Sequence, residues 1–383
     1  MKRKVTLITE IISPYRIPLF NVLAKHPAVD LHVLFLAETD PGLRQWNVYK
    51  NEIEFSYEVL PSWRSRLGKF NVLLNRGLGG ALRQTSPDAI VCGGYNYLAS
   101  WQALWWARSR HIPFLLWSES NLHDLRHEHK AVEFLKNEFL RRCGGFVVSG
   151  LAAREYLRTH GIEDRFVYTA PNAVDNALFA AAAAKARQDP DATRSSLSLP
   201  SRYFLFIGRL VKEKGVFDLL AAYAKLEKDV RRGIGLVFAG DGEVRPELEE
   251  QARAVSPGVI RFAGFVHREH LAKYYALADA LILPTHTDTW GLVVNEAMAC
   301  GLPIVVSRVA GCVADLVDEG WNGFLCAPGD ATSLAVAMKK LADSPELCTT
   351  MGANSAQRIS QYSPQTWAEG LACAVENVGA PRE

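Results

Sequence analysis

The sequence predicts an α/β protein of two doubly wound domains, and three observations carry that reading. Short apolar runs of strand length alternate with longer segments that suit helices, the pattern of parallel sheets with helical crossovers. That rhythm runs twice, with a break near the middle of the chain. A length of 383 residues also exceeds what one ordinary core organises, so two domains of roughly 150 to 200 residues are expected.

In the first half the expected strands are Val5 to Thr9, Leu31 to Leu36, Ala89 to Cys92, Phe114 to Trp117, Phe146 to Ser149 and Phe166 to Thr169. In the second they are Tyr203 to Ile207, Leu236 to Ala239, Val259 to Phe262, Ala280 to Leu283 and Ile304 to Val306. Between the sets, residues 177–201 replace the strand pattern with alanines, a proline-bracketed acidic pair and a serine cluster, which marks a boundary. The expected division is a first domain over 1–175, a linker over 176–200, a second domain over 201–360 and a final helix over 361–383. Trp367, Leu371, Val375 and Val378 fall at helical spacing in that last segment. It must bury one face, and packing across the domain junction towards the first domain would satisfy it.

Composition narrows the class. With 49% hydrophobic and 22% charged residues the chain reads as soluble and globular. Its 43 basic and 41 acidic side chains leave a net charge of +2, which gives no global reason to expect nucleic acid as partner. Seven widely spaced cysteines without a C-x-x-C pair fit neither a disulfide framework nor a zinc site, so a reducing cytoplasm is the expected home. The VTLIT run after Lys4 is too short for a signal core, and no window reaches the roughly 18 to 20 apolar residues of a spanning helix.

In open α/β sheets ligands bind beyond the carboxyl ends of the strands, so the loops there are where function is sought. After Tyr203 to Ile207 comes Gly208-Arg209-Leu210-Val211-Lys212-Glu213-Lys214-Gly215, then an apolar-periodic helix. A glycine at the strand exit, two cations and a helix N-terminus together suit a phosphate, with Arg209 and Lys214 as first-choice ligands; a solvated turn is the alternative. Gly240-Asp241-Gly242 leaves room for close backbone approach to a ligand or forms a plain turn, and Phe265-Val266 could wall a flat base. The most informative loop follows Leu283: Asp288 precedes a helix that starts near Gly291, and Glu296 falls on its second turn. Both carboxylates could then face one cleft and accept from neighbouring sugar hydroxyls, the alternative being a helix cap and a surface pair.

In combination these motifs resemble the retaining family 4 glycosyltransferases of GT-B fold. The family's acidic residue followed eight positions later by Glu is matched by Asp288 and Glu296, flowing into NEAMACGLPIVVS. PNAVD at 171–175 resembles the PN-V-D motif that closes the first domain, and GRLVKEKG and AGDGE stand in the family order. The resemblance implies two Rossmann-like domains facing a central cleft and transfer of a sugar from a nucleotide-diphosphate sugar to an acceptor hydroxyl with retention. Glycan, lipopolysaccharide or exopolysaccharide assembly is the implied setting. By position, Arg209 and Lys214 would hold the diphosphate, with Gly208 at the strand exit. Glu296 would take the ribose, Asp288 with the amides of Thr289 and Trp290 the transferred sugar, Gly291 and Leu292 the distal phosphate, and Phe265 and Val266 the base.

Two departures stand out. Asp288 replaces the commoner Glu, and the first domain has Ile12-Ser13-Pro14-Tyr15-Arg16 and Trp117-Ser118-Glu119-Ser120 where relatives place a glycine pair and a histidine. Glu119 joins Arg209 and Lys214 as a catalytic candidate, with a structural ion pair as its alternative, and Ser13 and Arg16 are candidates on the acceptor or phosphate side. No tightly bound cofactor is expected, and no metal. The Asp189-Pro190-Asp191 run lies in the expected linker, and His123, His127 and His129 are interleaved with charges as in a polar loop. A sugar-nucleotide epimerase and an inactive glycan-binding scaffold are the rival readings. Finally, residues 61–84 carry Arg64, Arg66, Lys69, Arg76 and Arg83 without an acid, beside Trp63 and Phe70. They could rest on an anionic membrane at the inner face, or form an amphipathic core helix with a basic outer side.

Overall fold

The computed structural model describes residues 2–40, 46–67, 70–123, 130–255 and 260–379. The chain divides into two compact units. Unit 1 takes in the residues up to Leu122, the stretch that ends at Val174 and the segment from Pro364 onward; unit 2 is Asp175–Ser363 with His123.

Unit 1 begins with β1 (Arg3–Thr9), α1 (Ile17–Lys25), β2 (Val29–Phe35) and β3 (Ser56–Val59). Next come a hairpin, β4 (Ser62–Leu67) and β5 (Phe70–Asn75), then α2 (Leu78–Thr85), β6 (Ala89–Gly93) and α3 (Leu98–Arg108). It continues through β7 (Phe114–Ser118), α4 (Lys130–Arg142), β8 (Gly145–Val148), α5 (Leu151–Thr159) and β9 (Val167–Thr169). Seven of these strands form one sheet in the order β3-β2-β1-β6-β7-β8-β9, every pair parallel. Such strands are covered on both faces, which is why they read as apolar runs rather than as alternation. Val5, Leu7, Leu31 and Val33 pack with Leu19, Phe20 and Leu23 of α1, whereas Ile8, Leu34 and Ile90 pack with Leu82, Leu104 and Phe139 on the other side.

Unit 2 opens with α6 (Asn176–Gln188) and α7 (Pro190–Leu197), where the composition suggested a linker. The segment is helical and belongs to the unit's body: Arg187 reaches the carbonyl oxygens of Ala276 at 2.8 Å and Cys300 at 2.6 Å. Asp175 and Asp189 cap the two helices by accepting from the amides of Leu178 and Ala192. The Asp189-Pro190-Asp191 run is therefore a helix start, a cap followed by proline in the first turn.

The unit continues with β10 (Tyr203–Ile207), α8 (Val216–Lys225), α9 (Lys228–Gly233), β11 (Gly235–Ala239), α10 (Arg245–Val255) and β12 (Ile260–Gly264). After these come α11 (Arg268–Leu277), β13 (Ala280–Leu283), α12 (Leu292–Ala299), β14 (Ile304–Ser307), α13 (Val313–Leu316) and β15 (Gly323–Cys326). It closes with α14 (Ala331–Asp343) and α15 (Pro345–Ile359). Its sheet runs β12-β11-β10-β13-β14-β15, again wholly parallel. The order reverses between β10 and β13, so the loops after these two strands flank the switch point at which open α/β sheets bind ligands.

The last helix, α16 (Pro364–Asn377), lies in unit 1. Trp367 is fully buried there, with its ring 5.7 Å from Phe20 and 5.3 Å from Trp117. Residues 61–84 form the β4–β5 hairpin and α2 instead of one amphipathic helix; Lys69 lies outside the described residues. On the hairpin Arg64 pairs with Asp40 and, at 3.1 Å, with Glu10, so this cation is spent inside the unit. Among the described residues no helix is long and apolar enough to cross a membrane.

Candidate active site

At the carboxyl edge of the unit 2 sheet three loops are stitched together by backbone. The Gly208 amide donates to Ala239 O, the Leu210 amide to Asp241 O, and the Gly240 amide to Gly264 O at 2.7 Å. A Cβ on Gly240 would overlap the carbonyl oxygen of Gly208, and one on Gly242 that of Leu210. The glycines of the AGDGE loop therefore admit a neighbouring strand exit. Gly240→Ala should cost roughly 1–3 kcal/mol of stability as an overpacked backbone contact, read by calorimetry. An unchanged melting point would show that the two loops separate without penalty.

The cationic loop after β10 is seated on the loop after β13. The Glu213 carbonyl accepts from the His286 amide at 2.8 Å and lies 3.0 Å from the Thr285 hydroxyl. Gly215 has a φ of +66°, and a Cβ there would collide with the carbonyl of Pro284, so both backbone conformation and space require glycine. His286 Nε2 lies 2.5 Å from Asp218 on α8 and adds a side-chain tie.

This seating brings Lys214 Nζ within 2.6 Å of Asp288 Oδ2, with both side chains mostly buried. The other carboxylate oxygen, Oδ1, accepts from the Trp290 amide at 3.3 Å, a local turn contact that Asp residues commonly make. The Trp290 amide, expected to face the transferred sugar, thus serves Asp288. Its indole is buried and donates to Asn295 at 2.8 Å. Gly291, at a φ of +97°, starts α12, while Thr289 is exposed and Leu292 half-buried. Arg209 stands exposed at the strand exit and forms no ion pair among the described residues. Phe265 is also exposed, edge-on to His267 at 5.0 Å, and Val266 is half-buried.

Glu296 differs most from expectation. Both carboxylates were expected to face one cleft, but Glu296 has no exposed surface. Its helix is packed on several sides, against α6, α11 and α15 among others, and Glu296 falls on the side of α11. There Tyr275 donates to Oε2 at 2.6 Å, while Oε1 is buried without a hydrogen-bond partner among the described residues. Burial pushes the Glu296 carboxyl up to about 7, with the Tyr275 hydroxyl and the Arg268 charge pulling the other way. Tyr275 was not anticipated, since nothing local in the sequence links it to a residue 21 positions away.

In unit 1 the Arg16 guanidinium bonds Glu119 and, at 2.9 Å, Asn172 Oδ1, and it lies 4.3 Å over the Trp117 ring. That ion pair is the alternative the sequence offered for Glu119, and it gives Arg16 a partner within the unit. The buried Asn172 explains the second position of the PNAVD motif, and the Asp175 cap explains its last. Ser13 is half-buried, with its carbonyl accepting from the Arg16 amide in the turn before α1. His127 and His129 lie outside the described residues.

Residues 189–358 match the family model described as glycosyl transferases group 1. Over these residues the chain is similar to the glycosyl transferases group 1. It is 35% identical over 185 residues to a glycogen synthase of Mycobacterium tuberculosis, covering 48% of this chain and 44% of that protein. Against a D-inositol 3-phosphate glycosyltransferase of Kineococcus radiotolerans it is 32% identical over 227 residues, 55% of this chain and 51% of that protein. The chain thus spans about half the length of the curated relatives it matches. HepE of Anabaena, solved with UDP and glucose, superposes with a TM-score of 0.75 at 19% identity, covering 98% of this chain and all of that one. Sucrose-phosphate synthase of Thermosynechococcus elongatus gives 0.72 at 19% identity, covering 97% and 98%. These likenesses show the fold, two parallel α/β sheets of GT-B type.

Proposed function

We propose that this group 1 glycosyltransferase moves a sugar from a nucleotide-diphosphate sugar to an acceptor hydroxyl with retention of configuration, in the assembly of a glycan or polysaccharide. The observation that carries this reading is the contact of Lys214 with Asp288, which joins a phosphate-type loop to a sugar-type loop at the switch point of the unit 2 sheet. An ammonium has three donors, so Lys214 can keep Asp288 and still give two hydrogen bonds to diphosphate oxygens. Asp288 in turn holds the ammonium in place and keeps lone pairs for hydroxyls of the transferred sugar. Arg209 supplies a planar fork for the same diphosphate, and the amides of Gly291 and Leu292 at the start of α12 supply its distal end. Phe265 and Val266 flank the base. Glu296, with one oxygen lacking a partner, is assigned to the ribose. A carboxylate kept buried at such a cost is more easily explained by a ligand than by packing.

Catalysis on this reading rests on holding two substrates together and on stabilising charge as the diphosphate leaves. The leaving oxygen takes the proton of the incoming hydroxyl on the same face, so no separate general base is assigned. The likeness to HepE, a protein solved with UDP-glucose, makes uridine diphosphate sugars the first to test.

A panel of UDP-, GDP- and ADP-sugars should contain at least one that raises the melting point, since a ligand that binds only the native state stabilises it. With that donor and an acceptor, free nucleotide and a glycoside should appear, and turnover should survive exhaustive chelation. An isomerised donor would instead indicate an epimerase, and stabilisation without turnover a binding scaffold. Activity lost on chelation and restored by magnesium would show that the two cations do not suffice for the leaving group.

A further inference from the structure

Asp218 stands in the first turn of α8, a place that suits a carboxylate, and it meets the loop after β13, where His286 Nε2 lies 2.5 Å from its Oδ2. An ionised carboxylate only accepts, so Nε2 carries the proton whether the imidazole is neutral or charged. The two side chains are 39% and 25% exposed, so solvent screens this bond less than it screens a pair in open water. His286 comes two residues before Asp288, and Asp218 comes four residues after Lys214. The segments that meet through Lys214 and Asp288 therefore meet a second time through Asp218 and His286.

The anchors of the two segments show what this second contact does. Asp288 is tied to the loop after β14, whose Gly311 amide donates to its carbonyl at 3.1 Å. Lys214 is tied to the turn that leads into α8, its amide donating to Val211 O at 3.0 Å. The contact between Lys214 and Asp288 thus spans two pieces with separate anchors. A lysine side chain is long and rich in rotamers, so its ammonium keeps one place only if the pieces keep their distance. His286 is bound to the Lys214 segment twice, by its amide to Glu213 O and by its ring to Asp218. It braces that distance.

We propose that His286 is a positioning residue for sugar transfer: braced on Asp218, it holds the Lys214 ammonium where it meets both Asp288 and the diphosphate of the donor. The proposal rests on the donor reading given above and adds to it a residue that touches no substrate. A displaced ammonium still attracts a bound diphosphate, but it is misplaced for the charge that grows as the diphosphate leaves. Loss of the brace should therefore appear in turnover more than in binding.

The test is turnover at saturating donor beside nucleotide affinity, with folding checked by calorimetry. His286→Ala should lower turnover about five- to tenfold, the scale of one hydrogen bond to a charged group, with affinity changed about twofold or less. His286→Gln, whose amide can still donate to Asp218, should recover most of the loss. Asp218→Ala should match His286→Ala, and the double variant should be no worse than either alone. Asp218→Asn keeps an accepting oxygen and should cost less, which preserves the comparison should an alanine variant fail to fold. The decisive measurement is a double-mutant cycle with Lys214→Ala, in which His286→Ala should add no further loss because the group it positions is gone. An equal loss in both backgrounds would make His286 a general support of the fold and overturn the proposal. So would parent-like turnover of His286→Ala, or a Gln variant as impaired as the Ala variant. If Lys214→Ala lowers turnover and His286→Ala does not, only the brace is lost; near-parent turnover of Lys214→Ala itself would remove the donor reading and the brace together.

Discussion

Lys214→Ala and Arg209→Ala should each depress turnover at saturating donor by roughly 100-fold to 1,000-fold, or about 3 to 4 kcal/mol, the effect of removing one preorganised electrostatic group from a transition state. Nucleotide affinity should fall much less. If both cations face the charge that grows as the glycosidic bond breaks, as proposed above, their contacts are stronger in the transition state than in the bound ground state. Arg209→Lys should also be impaired, since an ammonium keeps the charge but loses the planar fork. The geometry adds a distinction between the two. Lys214 is held by Asp288 and works from a fixed position, whereas Arg209 is exposed at the strand exit. Asp288→Asn should therefore reproduce part of the Lys214→Ala defect in turnover while nearly sparing affinity for the bare nucleotide diphosphate. Calorimetry establishes that the variants fold. Folded variants of Arg209 and Lys214 that keep near-parent turnover would leave both residues as surface charges.

Glu296→Gln is expected to make the protein more stable and less able to bind nucleotide. The Glu296 carboxyl is raised from 4.5 to about 7 by burial, so the folded state holds this proton more tightly than the unfolded chain does. The resulting stability is fully present below about pH 4.5 and is lost as pH rises through about 7. Above pH 8 the parent should therefore have lost about 3 kcal/mol relative to acid, from the shift at 1.36 kcal/mol per pH unit. An uncharged amide of the same shape escapes that loss. Melting curves of parent and variant, near each other at pH 5, should diverge by several degrees at pH 8, with the variant higher. Nucleotide binding should move the opposite way if the ribose takes the oxygen that lacks a partner. Parallel pH profiles would mean that Glu296 is not the titrating group, and unchanged nucleotide affinity would remove it from the ribose.

Much of this architecture could be read from residue order. Tyr203–Ile207 and Ala280–Leu283 are bounded as expected because a buried parallel strand is a bare apolar run, and Gly208 and Pro284 punctuate its end. The two loops proposed to hold the donor were legible for the same reason, since a strand exit followed by glycine, cations and a helix start is local information. The missing parts depend on partners distant in sequence. Ser62-Trp63-Arg64-Ser65 reads poorly as a strand, and its place is secured by Glu10 and Asp40, which lie before it in the chain. The glycines of 240–242 announced a tight approach without saying what approaches; the neighbour is the Gly208 and Leu210 backbone. Arg16 and Glu119 are 103 positions apart, so their mutual neutralisation was invisible until β1 and β7 were placed in one sheet.

The position of α16 sets the order in which the protein can be completed on the ribosome. Unit 1 is begun first, yet Trp367, Leu371 and Val375, which line one face of its core, are translated only after all of unit 2. The usual sequence of co-translational folding, N-terminal unit first, is therefore inverted. About 200 residues separate Val174 from α16, which at about 5–20 residues per second is roughly 10 to 40 s of synthesis. During that interval the sheet face carrying Val5 and Leu7, with Phe20 of α1 packed on it, waits for the rest of its cover while unit 2 can already have closed its own sheet. A nascent chain stalled short of Pro364 should thus present a protease-resistant second half joined to a protease-sensitive first half.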